Sequence, residues 1–404
     1  MPTLNPGRLA AARALMKAEK GYHADEALLA ALEPGSKDMG LARALTFGVL
    51  RRRGALDKLL GAFARDPVHK LDPNVRVAAR IGLYELHCMR TPPHAAVDQA
   101  VQLIRVLRRP RAAGFVNAVL RKGGEGYLAT DSTVDHPNWM IRRWTERYGA
   151  EAVQDWCARM ADAAPLSLCL AKTDSEAPEG EQATASGVEI PGVRWVQAKG
   201  RIEELPGFAD GGWWVMDPAA AASADLLQLQ EGERVLDACA APGGKTLRLA
   251  SQGGDVVATD RSRDRMALIT ESLERTGLKA TLHAADWSGA QEQLGSFDCA
   301  LVDAPCTGLG TTRRHPEIRW SRKSSDPMAQ SLLQSVILAN VSERVRPGGR
   351  LVYAVCSPEP EEGRDVVAEF LSRRPEWRLD EELETTPPQS HEDAFYAARL
   401  VHQA

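Results

Sequence analysis

No stretch of this 404-residue chain approaches eighteen consecutive apolar residues, which excludes a transmembrane helix. The opening sequence MPTLNPGRLAAARALMKAEKG lacks the apolar core and small-residue cleavage site of a secretory leader. Cysteine is scarce and unpatterned. There are seven, an odd number, without CxxC or Cys/His spacing, which argues against a disulfide framework and against a metal site. A reducing cytoplasm is the expected compartment, leaving thiols free for chemistry. Extremes of composition are absent too: 44% hydrophobic and 26% charged residues describe an ordinary folded protein, long enough for two or three domains.

The net charge of −4 conceals an asymmetry. Residues 1–125 carry 21 Lys+Arg against 11 Asp+Glu, a balance of +10, and the remainder carries 29 against 43, a balance of −14. Such segregation points to separate modules and makes the basic one a candidate polyanion binder, with a solvated helix face as the alternative. That basic segment reads as helices only. Leu56, Leu59, Leu60 and Phe63 fall on one helical face, and further helices are expected from about Asn74 to Met89, from His94 onward and over Ala112 to Lys122. The polar stretch Ala129 to Pro137 is the expected linker. Beyond it come a Trp-rich helix (Trp139, Trp144, Trp156), strand-like pieces such as Leu166–Leu170, and a loop expected over Thr173 to Ser186. From Met216 apolar strands at 234–238, 255–259, 281–284, 298–302 and 350–355 alternate with helices such as 263–276 and 324–345, which predicts a doubly wound parallel sheet with ligands at the strand ends.

The first of those strands runs into Asp237-Ala238-Cys239-Ala240-Ala241-Pro242-Gly243-Gly244-Lys245-Thr246. A nucleotide-phosphate loop would need glycine at 239, and Cys239 stands there. A nucleoside-type cofactor laid across the strand ends is the surviving reading, and it asks for an acid on the second strand to bind ribose hydroxyls. Asp260 ends that strand, Asp286 the third and Asp303 the fourth. Each acid singly fits a helix N-cap; the set is better explained by a ligand. Cys306 follows the fourth strand and Cys356 ends the fifth, so both thiols are placed at one cleft, and a thiolate is a strong metal-free nucleophile. Cys239 in its small-residue loop, and Cys88, Cys157, Cys169 and Cys299 inside periodic segments, are expected to pack. After Cys306 a basic and aromatic run supplies Arg313, Arg314, His315, Arg319 and Trp320 as candidate contacts to RNA phosphates and bases, a solvated loop being the alternative.

DACAAPGGKT, DAPCTGLGTTRRHPEIRW and VCSPEPEEG, in this order, resemble the bacterial ribosomal RNA cytosine-5 methyltransferases of the Sun/Fmu family. GVLRRRGALDKLL, VRVAARIGLYELHCMRTPPHAAVDQAV and AAGFVNAVLRK resemble the NusB-like RNA-binding domain that such enzymes carry. The resemblance implies three parts: an all-α NusB-like bundle at 1–128, a small α+β module at 136–215, and a Rossmann-like class I methyltransferase domain at 216–404. It implies S-adenosylmethionine as cofactor and a cytosine of small-subunit ribosomal RNA as substrate. On this basis residues Cys239 to Lys245 surround the cofactor, Asp260 binds its ribose, Asp286 lies beside the adenine, and Asp303 lies near the target base. Cys356 takes the nucleophile's position and Cys306 that of the cysteine that assists release. Two residues depart from the family pattern: Val355 where threonine is usual, and Met216 before Asp217 where glutamine is usual. Transfer RNA as substrate, a DNA-type enzyme attacking through Cys306, and a non-catalytic RNA-binding protein remain alternatives. A monomer is expected, with no metal and no membrane partner.

Overall fold

The computed structural model describes residues 3–33, 35–198 and 200–404. Two compact units emerge, one made of residues 1–164 with 312–323, the other of 165–311 with 324–404.

The first unit is helical throughout its described residues: α1 (Pro6–Ala18), α2 (Ala24–Leu29), α3 (Met39–Arg51), α4 (Arg53–Gly61), α5 (Pro73–Cys88), α6 (Pro93–Val106), α7 (Ala113–Gly124), α8 (Asn138–Tyr148) and α9 (Ala150–Met160). Helix starts follow local chemistry. Asn5 Oδ1 accepts the Gly7 amide at 2.8 Å with Pro6 in the first turn, and Asp72 Oδ1 accepts the Asn74 amide at 2.9 Å with Pro73 beside it. Leu15, Leu45, Leu56, Ile81, Leu83 and Leu103 meet in one core. Phe63, expected on the buried face with Leu56, Leu59 and Leu60, lies past the end of α4 and is 36% exposed. Cys88, expected in the core, is the last residue of α5 and is exposed.

The second unit opens with β1 (Leu166–Leu170), β2 (Gly180–Ala185), β3 (Val188–Val196) and β4 (Trp213–Val215), an antiparallel sheet ordered β2-β3-β1-β4. It continues with α10 (Pro218–Asp225), β5 (Arg234–Ala238), α11 (Gly244–Ser251), β6 (Asp255–Asp260), α12 (Arg263–Thr276), β7 (Thr281–Ala284) and β8 (Phe297–Asp303). The chain then makes α13 (Ile318–Ser321), which counts with the helical unit, before α14 (Asp326–Ser342), β9 (Val345–Val355), α15 (Arg364–Arg373), β10 (Trp377–Glu384) and β11 (Tyr396–His402). Seven strands form one sheet in the order β10-β11-β9-β8-β5-β6-β7. The five from β9 to β7 run parallel, and β11 and β10 add antiparallel at the edge. This is the Rossmann-like doubly wound architecture anticipated from the strand–helix alternation. Its strand order reverses between β8 and β5, which places the crevice outside the ends of those two strands.

Two expectations change. The anticipated α+β module at 136–215 is divided at 164/165. Its helices join the helical unit, where Trp144 and Trp156 stack at 4.3 Å and the Asp135 carboxylate takes the Ala55 amide at 2.8 Å. Its sheet joins the second unit, where Ala183, Ala185, Ile190 and Val193 share a core with Leu247 and Leu249. The stretch 173–186, expected as a loop, supplies β2. Ser186 and Gly187 both take positive φ (49° and 77°) and close a two-residue hairpin onto β3, a turn that needs left-handed backbone at both positions.

Candidate active site

Side chains at the carboxyl ends of β5, β6, β8 and β9 build the site, all within the second unit. After β5, Cys239 takes φ 62° and Gly243 φ 110°, so the loop folds back before α11 begins. A Cβ at Gly244 would meet nothing within 4 Å, so there is open space over the start of α11. Cys239 is packed against core, and burial pushes its thiol up to about 12, so it keeps its proton. Asp260 at the end of β6 is buried; its Oδ2 accepts the Ala241 amide at 3.2 Å and its Oδ1 the Ser262 amide at 2.9 Å. It therefore braces the loop, and each oxygen keeps a lone pair for a further donor. Beside it, Arg261, Ser262, Ala284, Ala285 and Asp286 line a cleft of about 450 Å³, within the range of a small-ligand site.

Lys245, implied to lie in the cofactor loop, is engaged at its side chain. Its Nζ turns to Asp303, 2.8 Å from Oδ2, and lies 5.1 Å from the centre of the Phe395 ring. Burial opposes the ammonium, but the charge of Asp303 and the bond to it outweigh burial and hold the lysine above its ordinary pKa; the Cys356 sulfur is also within electrostatic reach. Asp237, not singled out by the sequence, is fully buried under the same loop, and burial raises its carboxyl to about 7 although Thr246 Oγ1 donates to it at 2.6 Å.

The two cysteines predicted to converge do so. Cys306 Sγ and Cys356 Sγ are 3.3 Å apart. The hydrogen bond to Cys356, and then burial, hold the Cys306 thiol well above its ordinary pKa. Either sulfur can donate across that contact, and the raised Cys306 thiol is the one that holds its proton more tightly than an ordinary cysteine. Glu362, a further residue that sequence patterning did not single out, lies buried beneath both. It sits among three acids of VCSPEPEEG, and spacing offers no signal to choose between them.

The candidate RNA run belongs to the helical unit, and two of its members are spent there. Arg319 is fully buried: its guanidinium donates to the carbonyls of Met160 (2.9 Å), Thr312 (3.1 Å), Arg51 (3.3 Å) and Asp135 (3.5 Å). It is a pin within the helical unit, not an RNA contact. Trp320 donates Nε1–H to the Leu50 carbonyl at 3.3 Å, and the Arg53 guanidinium covers its ring at 4.7 Å, so that face is taken. Arg313 and Arg314 remain half-buried, Arg313 donating to the carbonyls of Asp162 and Ala163. His315 is half-exposed and lies 3.9 Å from Glu317; burial lowers its pKa against the pull of that carboxylate. Among the described residues no cluster of His, Cys, Asp or Glu is arranged to hold a metal.

A family model described as 16S rRNA methyltransferase RsmB/F matches residues 224–401, and one described as NusB family matches residues 5–123. Ribosomal RNA small subunit methyltransferase B of Salmonella paratyphi C is 34% identical over 398 residues, covering 90% of this chain and 91% of that protein. Its counterpart in Salmonella enteritidis PT4 is 33% identical over 394 residues, with the same coverage. The crystal structure of PH0851 superposes with a TM-score of 0.81 at 22% identity over 99% of both chains. NSun6 from Pyrococcus horikoshii superposes at 0.55 and 17% identity, covering 66% of this chain and 98% of its own. At such identities the structural likeness speaks for the fold alone.

Proposed function

The chain belongs to the 16S rRNA methyltransferase RsmB/F family, and from that membership we propose that it methylates carbon 5 of a cytosine in small-subunit ribosomal RNA. The observation that carries the reading is the thiol pair, 3.3 Å apart, at the same strand ends as the Lys245–Asp303 ion pair.

The cofactor fits the residues present. Open space at the start of α11, the Asp260 carboxylate and the cleft beside Asp286 offer room for the cofactor, a ribose acceptor and a place for its base. When bound, S-adenosylmethionine supplies an electrophilic methyl group on a sulfonium sulfur. Carbon 5 of cytosine is too weak a nucleophile to take that group unaided, and the protein's own residues correct this. The Cys356 thiolate adds to carbon 6, forming a sulfur–carbon bond and pushing an electron pair onto carbon 5. Once carbon 5 carries the methyl group, its proton passes to solvent water, the C–H electron pair forms the carbon 5–carbon 6 double bond, the sulfur–carbon bond breaks, and Cys356 leaves as thiolate. Cys306 keeps a proton 3.3 Å from that sulfur and assists the release.

Asp303, paired with the Lys245 ammonium, accepts toward the base and receives the exocyclic amino N–H. Lys245 is the donor at hand for a ring atom that gains electron density. The target must be unstacked to reach both thiol and cofactor, at a cost of a few kcal/mol that is smallest in a loop. The assignment to small-subunit RNA, as opposed to transfer RNA, rests on the names of the relatives.

Methyl transfer from labelled S-adenosylmethionine to unmodified ribosomal RNA, followed by nuclease digestion, tests the proposal. Wild type yields 5-methylcytosine, Cys356→Ala yields none, and Cys306→Ala accumulates a covalent RNA adduct. Transfer to transfer RNA alone would replace the substrate, and RNA binding without transfer would replace the enzyme reading.

A further inference from the structure

Beyond the two cysteines, something must hold their loops at a fixed spacing, and the sheet does not. The β8–β9 ladder ends at Asp303 opposite Ala354, with the Ala304 amide bonded to the Ala354 carbonyl at 2.9 Å and, from the far end of the Cys306 loop, the Gly310 amide bonded to the Cys356 carbonyl at 3.0 Å. Cys306 and Cys356 both lie past the end of the ladder. Beneath them a single carboxylate receives donors from both loops. Glu362 Oε1 accepts the Thr307 amide at 2.7 Å and Gln334 Nε2 at 3.2 Å; its Oε2 accepts the Thr307 hydroxyl at 2.5 Å and the Ser357 hydroxyl at 2.5 Å. Thr307 follows Cys306 and Ser357 follows Cys356. The carboxylate is fixed from its own backbone as well, since the Glu362 carbonyl accepts the Tyr353 hydroxyl at 2.6 Å from within β9. Gln334 also donates to the Pro305 carbonyl at 2.9 Å, adding a third tie on the Cys306 side.

We propose that Glu362 is a positioning residue that sets the separation of the Cys306 and Cys356 thiols by gripping the residue after each. It deepens the two-cysteine reading and rests on it for its catalytic consequence, but the geometric claim is measurable without RNA or cofactor. The side-chain length is what the arrangement demands. An aspartate is one methylene short and loses either Thr307 or Ser357. A glutamine keeps the reach, and the two hydroxyls can turn to accept from its amide.

The ruler is disulfide closure. Diamide takes two electrons and two protons from the thiol pair, becoming the hydrazine while a Cys306–Cys356 bond forms, and mass spectrometry of the full chain follows the rate. Glu362→Asp slows closure by up to about a hundredfold, because misplacement by about an ångström costs on that scale in a proximity-controlled step. Glu362→Gln falls between Asp and wild type, and Ser357→Ala, which cuts a single tie, slows closure less than Asp. In the transfer assay Glu362→Asp lowers turnover while the KM for S-adenosylmethionine holds, and a covalent RNA adduct persists as in Cys306→Ala. A purely structural role would lower the unfolding midpoint and leave closure in the folded fraction untouched. Should Glu362→Asp fail to fold, Ser357→Ala and Glu362→Gln decide. Closure at the wild-type rate in every folded variant overturns the proposal. Altered closure in a protein that transfers no methyl group would instead overturn the methyltransferase reading and leave the positioning role standing.

Discussion

At the scale of single residues, the site works by setting charge states through burial and neighbours. Lys245 stays an ammonium in a buried place because Asp303 is 2.8 Å away. Asp237 shows the opposite case. Its bonded partner is the neutral Thr246 hydroxyl, and burial raises its carboxyl to about 7. Its unfolded counterpart loses its proton near pH 4. Between those values the folded chain holds a proton that the unfolded chain does not, so this group makes stability fall as pH rises. Asp237→Asn, which keeps an acceptor for Thr246, should flatten that fall: urea unfolding at pH 5 and pH 8 should differ less in the variant than in wild type. An unchanged difference would mean that Asp237 is ionised in the fold throughout.

At the scale of elements, legibility followed the reach of the pattern. The strand ends and their acids were readable because strand–helix alternation fixes where β5, β6 and β8 stop. Convergence of Cys306 and Cys356 was readable for the same reason, since β8 and β9 are sheet neighbours. What escaped were features set by partners distant in sequence. β2 is polar and loop-like by composition and becomes a strand because Ser186-Gly187 turns it onto β3. Glu362 is one acid among several until Thr307, Ser357 and Gln334 surround it. Arg319 read as a nucleic-acid contact because its run is basic, yet it is the pin that binds α9 and the carbonyl end of α3 to residues 312–323. Arg319→Ala should destabilise the protein by about 3 kcal/mol, since several carbonyls lose a shared donor. RNA affinity per folded molecule should stay unchanged; a loss of affinity without a loss of stability would restore the RNA-contact reading.

At the scale of the whole molecule, the division into units sharpens the charge asymmetry. With 312–323 counted in, the helical unit holds 30 Lys+Arg against 18 Asp+Glu and the other unit 20 against 36. Arg105, Arg108 and Arg111 stand exposed around the turn between α6 and α7, a cluster suited to phosphates. Replacing the three with glutamine should weaken RNA binding evenly across sequences and flatten the salt dependence, by about 0.7 in logarithmic slope for every phosphate these arginines neutralise. An unaltered slope would place the RNA surface elsewhere on the chain.

The central claim is that Cys356, and not Cys306, attacks the base. RNA carrying 5-fluorocytosine tests it most directly, because fluorine at carbon 5 cannot leave as the proton does and the covalent adduct is held. After methyl transfer from S-adenosylmethionine, digestion and peptide mapping should find the nucleotide on Cys356, with Cys306 carrying a free thiol. A nucleotide on Cys306 would contradict the account and exchange the roles of the two cysteines.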